Sequence, residues 1–149
     1  MEERKVLNHL FVNVFNKILR IEERVIREQS DLDLTVSEMH TIDAIGVGES
    51  MKMTDVADKL NITVGTLTTS INRLLSKGYV ERNRGEEDRR VVRVHLTEKG
   101  KEAYDLHEAY HEEMISQILS ELNEEEARIL TGTLIKISEF FRVHYHAED

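Results

Sequence analysis

Apolar side chains recur in steps of three and four from about residue 3 to residue 29, at Leu7, Leu10, Phe11, Val14, Ile18, Ile21 and Val25. This spacing predicts a long amphipathic helix, with a stripe too continuous for its own chain to cover alone. Ser30-Asp31-Leu32-Asp33 interrupts the pattern. Thr35-Val36-Ser37-Glu38 then reads as a capping box opening a second helix, which carries Met39, Ile42 and Ile45 and stops near Gly46-Val47-Gly48. A short helix is expected from Thr54, as N-cap, to Leu60, with Val56, Ala57 and Leu60 as its inner face. Asn61-Ile62 makes a tight turn. Thr63 caps a helix from Val64 to about Lys77, and Gly78 supplies the left-handed residue that ends it.

From Tyr79 to Arg84 and from Arg90 to Leu96 the period changes to two, with the polar turn Gly85-Glu86-Glu87-Asp88-Arg89 between. This predicts a two-stranded hairpin with a basic tip. Thr97 caps a further long helix to about Leu122, with Tyr104, His107, Tyr110, His111, Met114 and Ile118 on its inner side. Asn123-Glu124-Glu125-Glu126 caps the last helix, which carries Leu130, Leu134, Ile137, Phe140 and Phe141. The fold class is mainly α: a winged helix-turn-helix with long N- and C-terminal dimerisation helices and a small two-stranded β-wing. It is read as a single domain over 1–149, with dimerisation helices in 1–34 and 97–149 and the winged part in 35–96.

The helix after the tight turn carries the functional signal. At 100° per residue, Val64, Leu67, Ile71, Leu74 and Leu75 fall on one side. Thr66, Thr69 and Arg73 fall on the other, flanked by Gly65, Ser70, Asn72 and Ser76. No carboxylate occurs between Thr63 and Gly78, the profile that suits a helix entering a major groove, where phosphates repel acidic groups. Candidate DNA-binding residues are Thr63, Gly65, Thr66, Thr68, Thr69, Ser70, Asn72 and Arg73 on this helix, with Arg84, Asp88, Arg89 and Arg90 on the wing. An arginine at a hairpin tip suits the negative potential of a narrow minor groove. Asp88 reads as a brace for that loop rather than a DNA contact. Gly65 has two readings, as a site of close backbone approach to phosphate or as a tolerated weak helix former. A polar helix face and charged wing can also belong to a protein-interaction module.

Charge sharpens this picture. The chain has 149 residues and a net charge of −9, which taken whole argues against nucleic acid. By thirds, however, it carries −4, +3 and −8. The basic middle third, with Arg73, Lys77, Arg82, Arg84, Arg89, Arg90 and Arg93 in its second half, fits an acidic body meeting a polyanion through one module. The absence of cysteine removes disulfides and thiol chemistry, and the absence of proline favours long helices. No apolar run approaches a membrane span and the first residues do not resemble a secretory leader, so a cytoplasmic protein without a membrane partner is expected. An enzyme is not expected, since no Gly-rich phosphate loop, nucleophile elbow or paired-carboxylate signature is present.

The order of elements resembles the MarR family of bacterial transcription regulators over essentially the whole chain. Its most specific strings are Asp88-Arg89-Arg90 and Val94-His95-Leu96-Thr97-Glu98-Lys99-Gly100. The resemblance implies Arg90 in the minor groove, supported by Asp88 and Arg89, and residues of Thr63 to Arg73 in the major groove. It also implies a homodimer on a pseudo-palindromic double-stranded operator.

Within the family, three strings resemble the repressors of type II fatty-acid synthesis genes: Glu38-Met39-His40-Thr41-Ile42-Asp43-Ala44-Ile45-Gly46, Gly65-Thr66-Leu67-Thr68-Thr69-Ser70-Ile71-Asn72 and Lys77-Gly78-Tyr79-Val80-Glu81-Arg82. Arg89-Arg90-Val91-Val92, leading into His95-Leu96-Thr97, belongs with them. That branch implies long acyl groups on acyl carrier protein as corepressor. An apolar tunnel for the chain would be lined by Phe11, Val14, Phe15, Ile18, Met39, Ile42, Tyr110 and Met114, residues that can equally be plain core.

His107 and His111, one helical turn apart, offer a second effector reading. With His40 and Glu22 they have the donor types of a tetrahedral Zn²⁺ site, at positions resembling those of zinc-sensing relatives. The favoured reading has no cofactor, with these histidines bonded to backbone or carboxylates.

Overall fold

The computed structural model describes residues 2–28 and 32–145; Gln29, Ser30 and Asp31, where the first helix is expected to end and the chain to break, lie outside them. Among the described residues six helices and three strands follow in the order α1 (Glu2–Glu28), α2 (Val36–Ile45), β1 (Met51–Lys52), α3 (Met53–Lys59), α4 (Val64–Lys77), β2 (Val80–Arg84), β3 (Val92–Leu96), α5 (Glu98–Ser120) and α6 (Glu124–Tyr145). No helix among them is long and apolar enough to cross a membrane.

The helix boundaries follow local chemistry. The Thr35 hydroxyl accepts the Glu38 N–H at 3.2 Å, and the Glu38 carboxylate accepts the Thr35 N–H at 3.1 Å. Thr63 caps α4 by accepting the Thr66 N–H, and Gly78 ends it at φ +83°. Thr97 caps α5 through the Gly100 N–H and also donates its hydroxyl to the Gly78 carbonyl at 2.6 Å. Gly100 is dictated by packing: a Cβ there would sit 2.1 Å from the Tyr79 carbonyl oxygen. Asn123 and Glu126 cap α6 reciprocally, at 2.9 and 3.0 Å.

Three expectations about the winged part are corrected. The sheet has three strands in the order β1-β3-β2, because Met51 and Lys52 pair with Val94 and Arg93. A two-residue strand has no periodicity to detect; only the pairing of β3 on its second edge creates it. Thr54 is not an N-cap, since α3 already begins at Met53 with Lys52 before it and no side-chain cap. The hairpin strands also start later than expected, at Val80 and Val92.

One core occupies the winged part. Met39, Ile42, Ile45, Val56, Ala57, Leu67, Ile71, Leu74, Tyr79, Val94 and Leu96 are all buried there, joined by Ile26 from α1 and Ala103 from α5. The helices outside it are barely covered: α1 buries only Glu22 and Ile26, and α6 buries nothing. Ile118, expected inside α5, is exposed, as are Leu130, Leu134, Phe140 and Phe141 of α6.

Candidate nucleic-acid interface

The outward face of α4 comes from its inward one. Leu67, Ile71 and Leu74 are fully buried, which turns Gly65, Thr66, Thr69, Asn72, Arg73 and Ser76 to solvent. Val64, expected on the inner face, is 42% exposed at the first turn of α4. Ser70 departs from its expected place on the outer face. It is half-buried, and its hydroxyl lies 3.1 Å from that of Thr41 on α2, binding the two helices together. Thr68 is also half-buried and donates to the Val64 carbonyl at 2.7 Å; Thr69 donates to that of Gly65 at 3.5 Å. Both threonines therefore present oxygen lone pairs and methyls rather than free protons, a character that suits thymine methyls better than phosphates. Around Gly65 space is open: a Cβ would meet only Thr63 Oγ1, at 3.9 Å.

The wing is held by its own backbone and by one carboxylate. Gly85 N–H donates to the Val91 carbonyl at 2.8 Å, and Val91 N–H to the Asp88 carbonyl at 3.0 Å. Asp88 Oδ1 accepts the Arg90 N–H at 2.9 Å and Nε at 3.2 Å, while Oδ2 accepts Nη2 at 3.3 Å. The Arg90 hydrogen bonds hold the Asp88 carboxyl below its ordinary pKa. The guanidinium is thus aimed while remaining 92% exposed. Arg73, Arg84 and Arg89 are exposed and have no carboxylate partner among the described residues.

Lys77 and Arg93 of the basic third are structural instead. Lys77 Nζ donates to the Asp33 carbonyl and, at 2.7 Å, to the buried Glu38 carboxylate. Arg93 is folded onto Ser50, with Nε to the hydroxyl at 3.1 Å and Nη2 to the carbonyl at 2.8 Å. Conversely, Lys52, Thr54 and Arg82 line a cleft between wing and α4 although the sequence reading places none of them in the site. The signal for Arg82 was available in the hairpin periodicity, which puts it on the face shared with Val80.

The expected effector residues do not form one tunnel. Met39 and Ile42 are at most 1% exposed within the winged core, because α2 turns its apolar side to α4 and the sheet. Phe11, Val14 and Phe15 instead line an apolar groove of about 220 Å³ with Leu130, Leu134 and Ile137 of α6. Ile18, Tyr110 and Met114 are half-buried, and the Tyr110 hydroxyl lies 3.7 Å from Met114 Sδ.

The histidines do converge. Glu22 Oε1 of α1 lies 3.0 Å from Nε2 of both His40 and His107 and 3.7 Å from Nε2 of His111. On the far side of the His107 ring, Nδ1 lies 2.7 Å from Asp43 Oδ2. Burial drives the Glu22 pKa upward, but hydrogen bonds and charges from His40 and His107 outweigh it and leave the group lowered. Burial likewise opposes protonation of His107, yet Asp43 and Glu22 together raise its pKa. This cluster, buried at Glu22 and His107 and partly open at His40 and His111, fastens α1 and α5 to α2.

Residues 34–92 match the family model described as the MarR family. Over 93% of this chain and 97% of the other, the fold superposes on FabT of Streptococcus pneumoniae, solved in complex with DNA, at a TM-score of 0.89 and 39% identity. Two Bacillus subtilis relatives are helix-turn-helix-type transcriptional regulators. YhjH is 31% identical over 91 residues, 61% of this chain. YdgJ is 28% identical over 138 residues, 91% of this chain and 79% of its own length. The match spans about half of YhjH, at 52%. A winged core built on these capping signals, together with a 39% identical structure matched almost end to end, places the chain in the MarR family.

Proposed function

We propose that this protein is a DNA-binding transcriptional repressor that acts as a homodimer on a pseudo-palindromic operator. The observation that carries this reading is the exposed, carboxylate-free face of α4 beside an arginine-tipped wing. The helix residues Gly65, Thr66, Thr69, Asn72 and Arg73 take the major groove, and Arg90, aimed by Asp88, takes the adjacent minor groove. Its relatives are transcriptional regulators rather than enzymes. Pairing through α1, α5 and α6 would cover apolar faces that α1 and α6 leave open in the single chain.

The likeness to FabT supports a finer reading, in which the regulated genes are those of fatty-acid biosynthesis and the effector is a long acyl group on acyl carrier protein. Fluorescence anisotropy with promoter fragments of such genes tests both levels. Binding is expected, and long-chain acyl carrier protein is expected to change the affinity through different affinities for the two protein arrangements. Binding without any response to the acyl form would remove the effector assignment and keep the regulator.

A second effector reading, Zn²⁺ held by Glu22, His40, His107 and His111, has one observation in its favour. Ligand atoms of Glu22, His107 and His111 lie within 4.8 Å of one another, with Asp43 placed to orient His107. Operator affinity that rises or falls with Zn²⁺ and returns with a chelator would move the assignment to the metal.

A further inference from the structure

We propose that the cleft between the wing and α4 is the seat of one DNA strand's sugar-phosphate backbone, with Arg82 as its central phosphate-binding cation. The inference rests on the DNA-binding reading above and extends it to residues that reading leaves unassigned.

The topology of the duplex supplies the first part. A protein that places a helix in the major groove and a hairpin in the adjoining minor groove must straddle the strand between the two grooves. That strand has to run between α4 and the wing, and an open cleft of about 500 Å³ lies there. Its lining has the chemistry of a polyanion with apolar sugars. Arg82, Arg90 and Lys52 contribute positive charge, and no carboxylate lines the cleft. Val64 and Val92 form an apolar floor suited to the C–H faces of deoxyribose.

The sheet register explains why Arg82 reaches this position. Arg82 is paired with Val94, and Val94 is fully buried. Opposed residues of an antiparallel pair share a face, so Arg82 projects from the α4-facing side of the sheet where the core has run out. There Nη1 donates to Asn72 Oδ1 on α4 at 3.3 Å. Asn72 is neutral, so it orients the guanidinium and leaves its charge uncompensated. Thr54 adds a hydroxyl on the opposite wall, and no hydrogen bond within the protein engages it among the described residues. The exposed Val64, which is out of place for a core residue, becomes part of the seat.

The test uses the full-length protein and an operator duplex in a salt titration, comparing wild type with Arg82→Ala and Arg82→Lys. One phosphate contact contributes a slope of ~0.9 in log affinity against log salt. Between 50 and 200 mM salt, wild-type affinity should therefore fall about 3.5-fold further than that of Arg82→Ala. Arg82→Lys should keep the wild-type slope, and thermal melting should show both variants folded. A scan of single neutral methylphosphonate linkages should find one position per half-site that weakens the wild type and leaves Arg82→Ala indifferent. If the wild type binds but Arg82→Ala keeps its slope and methylphosphonate profile, Arg82 does not hold the backbone and the proposal is overturned. If the wild type binds no duplex at any salt concentration, the DNA-binding reading itself fails and takes this one with it.

Discussion

Asp88 is an acidic side chain on a surface proposed to meet phosphate, so its effect on binding separates two physical terms. By charge alone its removal should tighten binding. By geometry its removal frees a guanidinium that two hydrogen bonds now hold and a wing turn that a third, from the Arg90 backbone N–H, closes. With Arg90 92% exposed and held by no other side chain among the described residues, the second term dominates, and Asp88→Ala is expected to weaken operator affinity. Arg90→Ala is expected to weaken it further and to flatten the salt dependence by about one unit of slope. Tighter binding by Asp88→Ala would show that the carboxylate only repels. Gly65→Ala carries opposite signs in two assays. With only Thr63 Oγ1 near its missing Cβ, at an ordinary contact distance of 3.9 Å, the substitution should stabilise the free protein by up to ~1 kcal/mol. If the DNA backbone approaches there, it should also weaken binding, and unchanged affinity would make Gly65 merely a weak helix former. At this scale most of the outer face of α4 was readable from 100° arithmetic, with Val64 and Ser70 as the exceptions. The roles of Ser70, Lys77 and Arg93 were not, because their partners lie 29 to 44 residues away and only the fold brings them together.

The caps that bound α2, α4, α5 and α6 were legible because each is closed by residues three apart in the chain. β1 was illegible for the converse reason, since its identity comes wholly from β3. The joint between α2 and the end of α4 yields two predictions. Lys77 neutralises the buried Glu38, so Lys77→Ala should cost ~1–3 kcal/mol in chemical denaturation and leave the salt slope of DNA binding unchanged. A flattened slope would return Lys77 to the interface. Tyr79 is fully buried and donates to Asp33 at 2.9 Å. Burial, followed by the Asp33 hydrogen bond and charge, raises its pKa from 10.0 to about 12. A raised value means the folded protein holds the phenolic proton more tightly. The resulting stability is whole below pH 10 and lost as pH climbs through about 12. The stability gap between wild type and Tyr79→Phe in thermal melts should shrink across that range; a gap constant to pH 12 would show the phenol titrating normally.

For the molecule as a whole, the apolar stripes of α1 and α6 were evident from periodicity, but which residues they meet was not. The expected tunnel joined Phe11, Val14 and Phe15 to Met39 and Ile42 because all are apolar, whereas the fold assigns the first three to a groove with α6 and the others to the core. Leu134, 47% exposed and lining that groove, tests the proposed pairing. Leu134→Glu should sediment as a monomer and lose on the order of 100-fold or more in affinity for a two-half-site operator, while a single half-site is bound as before. A dimer that persists with full affinity would place the pairing surface elsewhere. The pivot of this arrangement is already visible in α1, which buries only Glu22 and Ile26, while its beginning lies twenty residues, ~30 Å, away. Such a helix is a lever with its fulcrum at one end. A tilt of ~5° about Glu22 sweeps the far tip through about 2.6 Å, so a small change in seating at the fulcrum is magnified along the stretch where Phe11, Val14 and Phe15 face α6 across the groove.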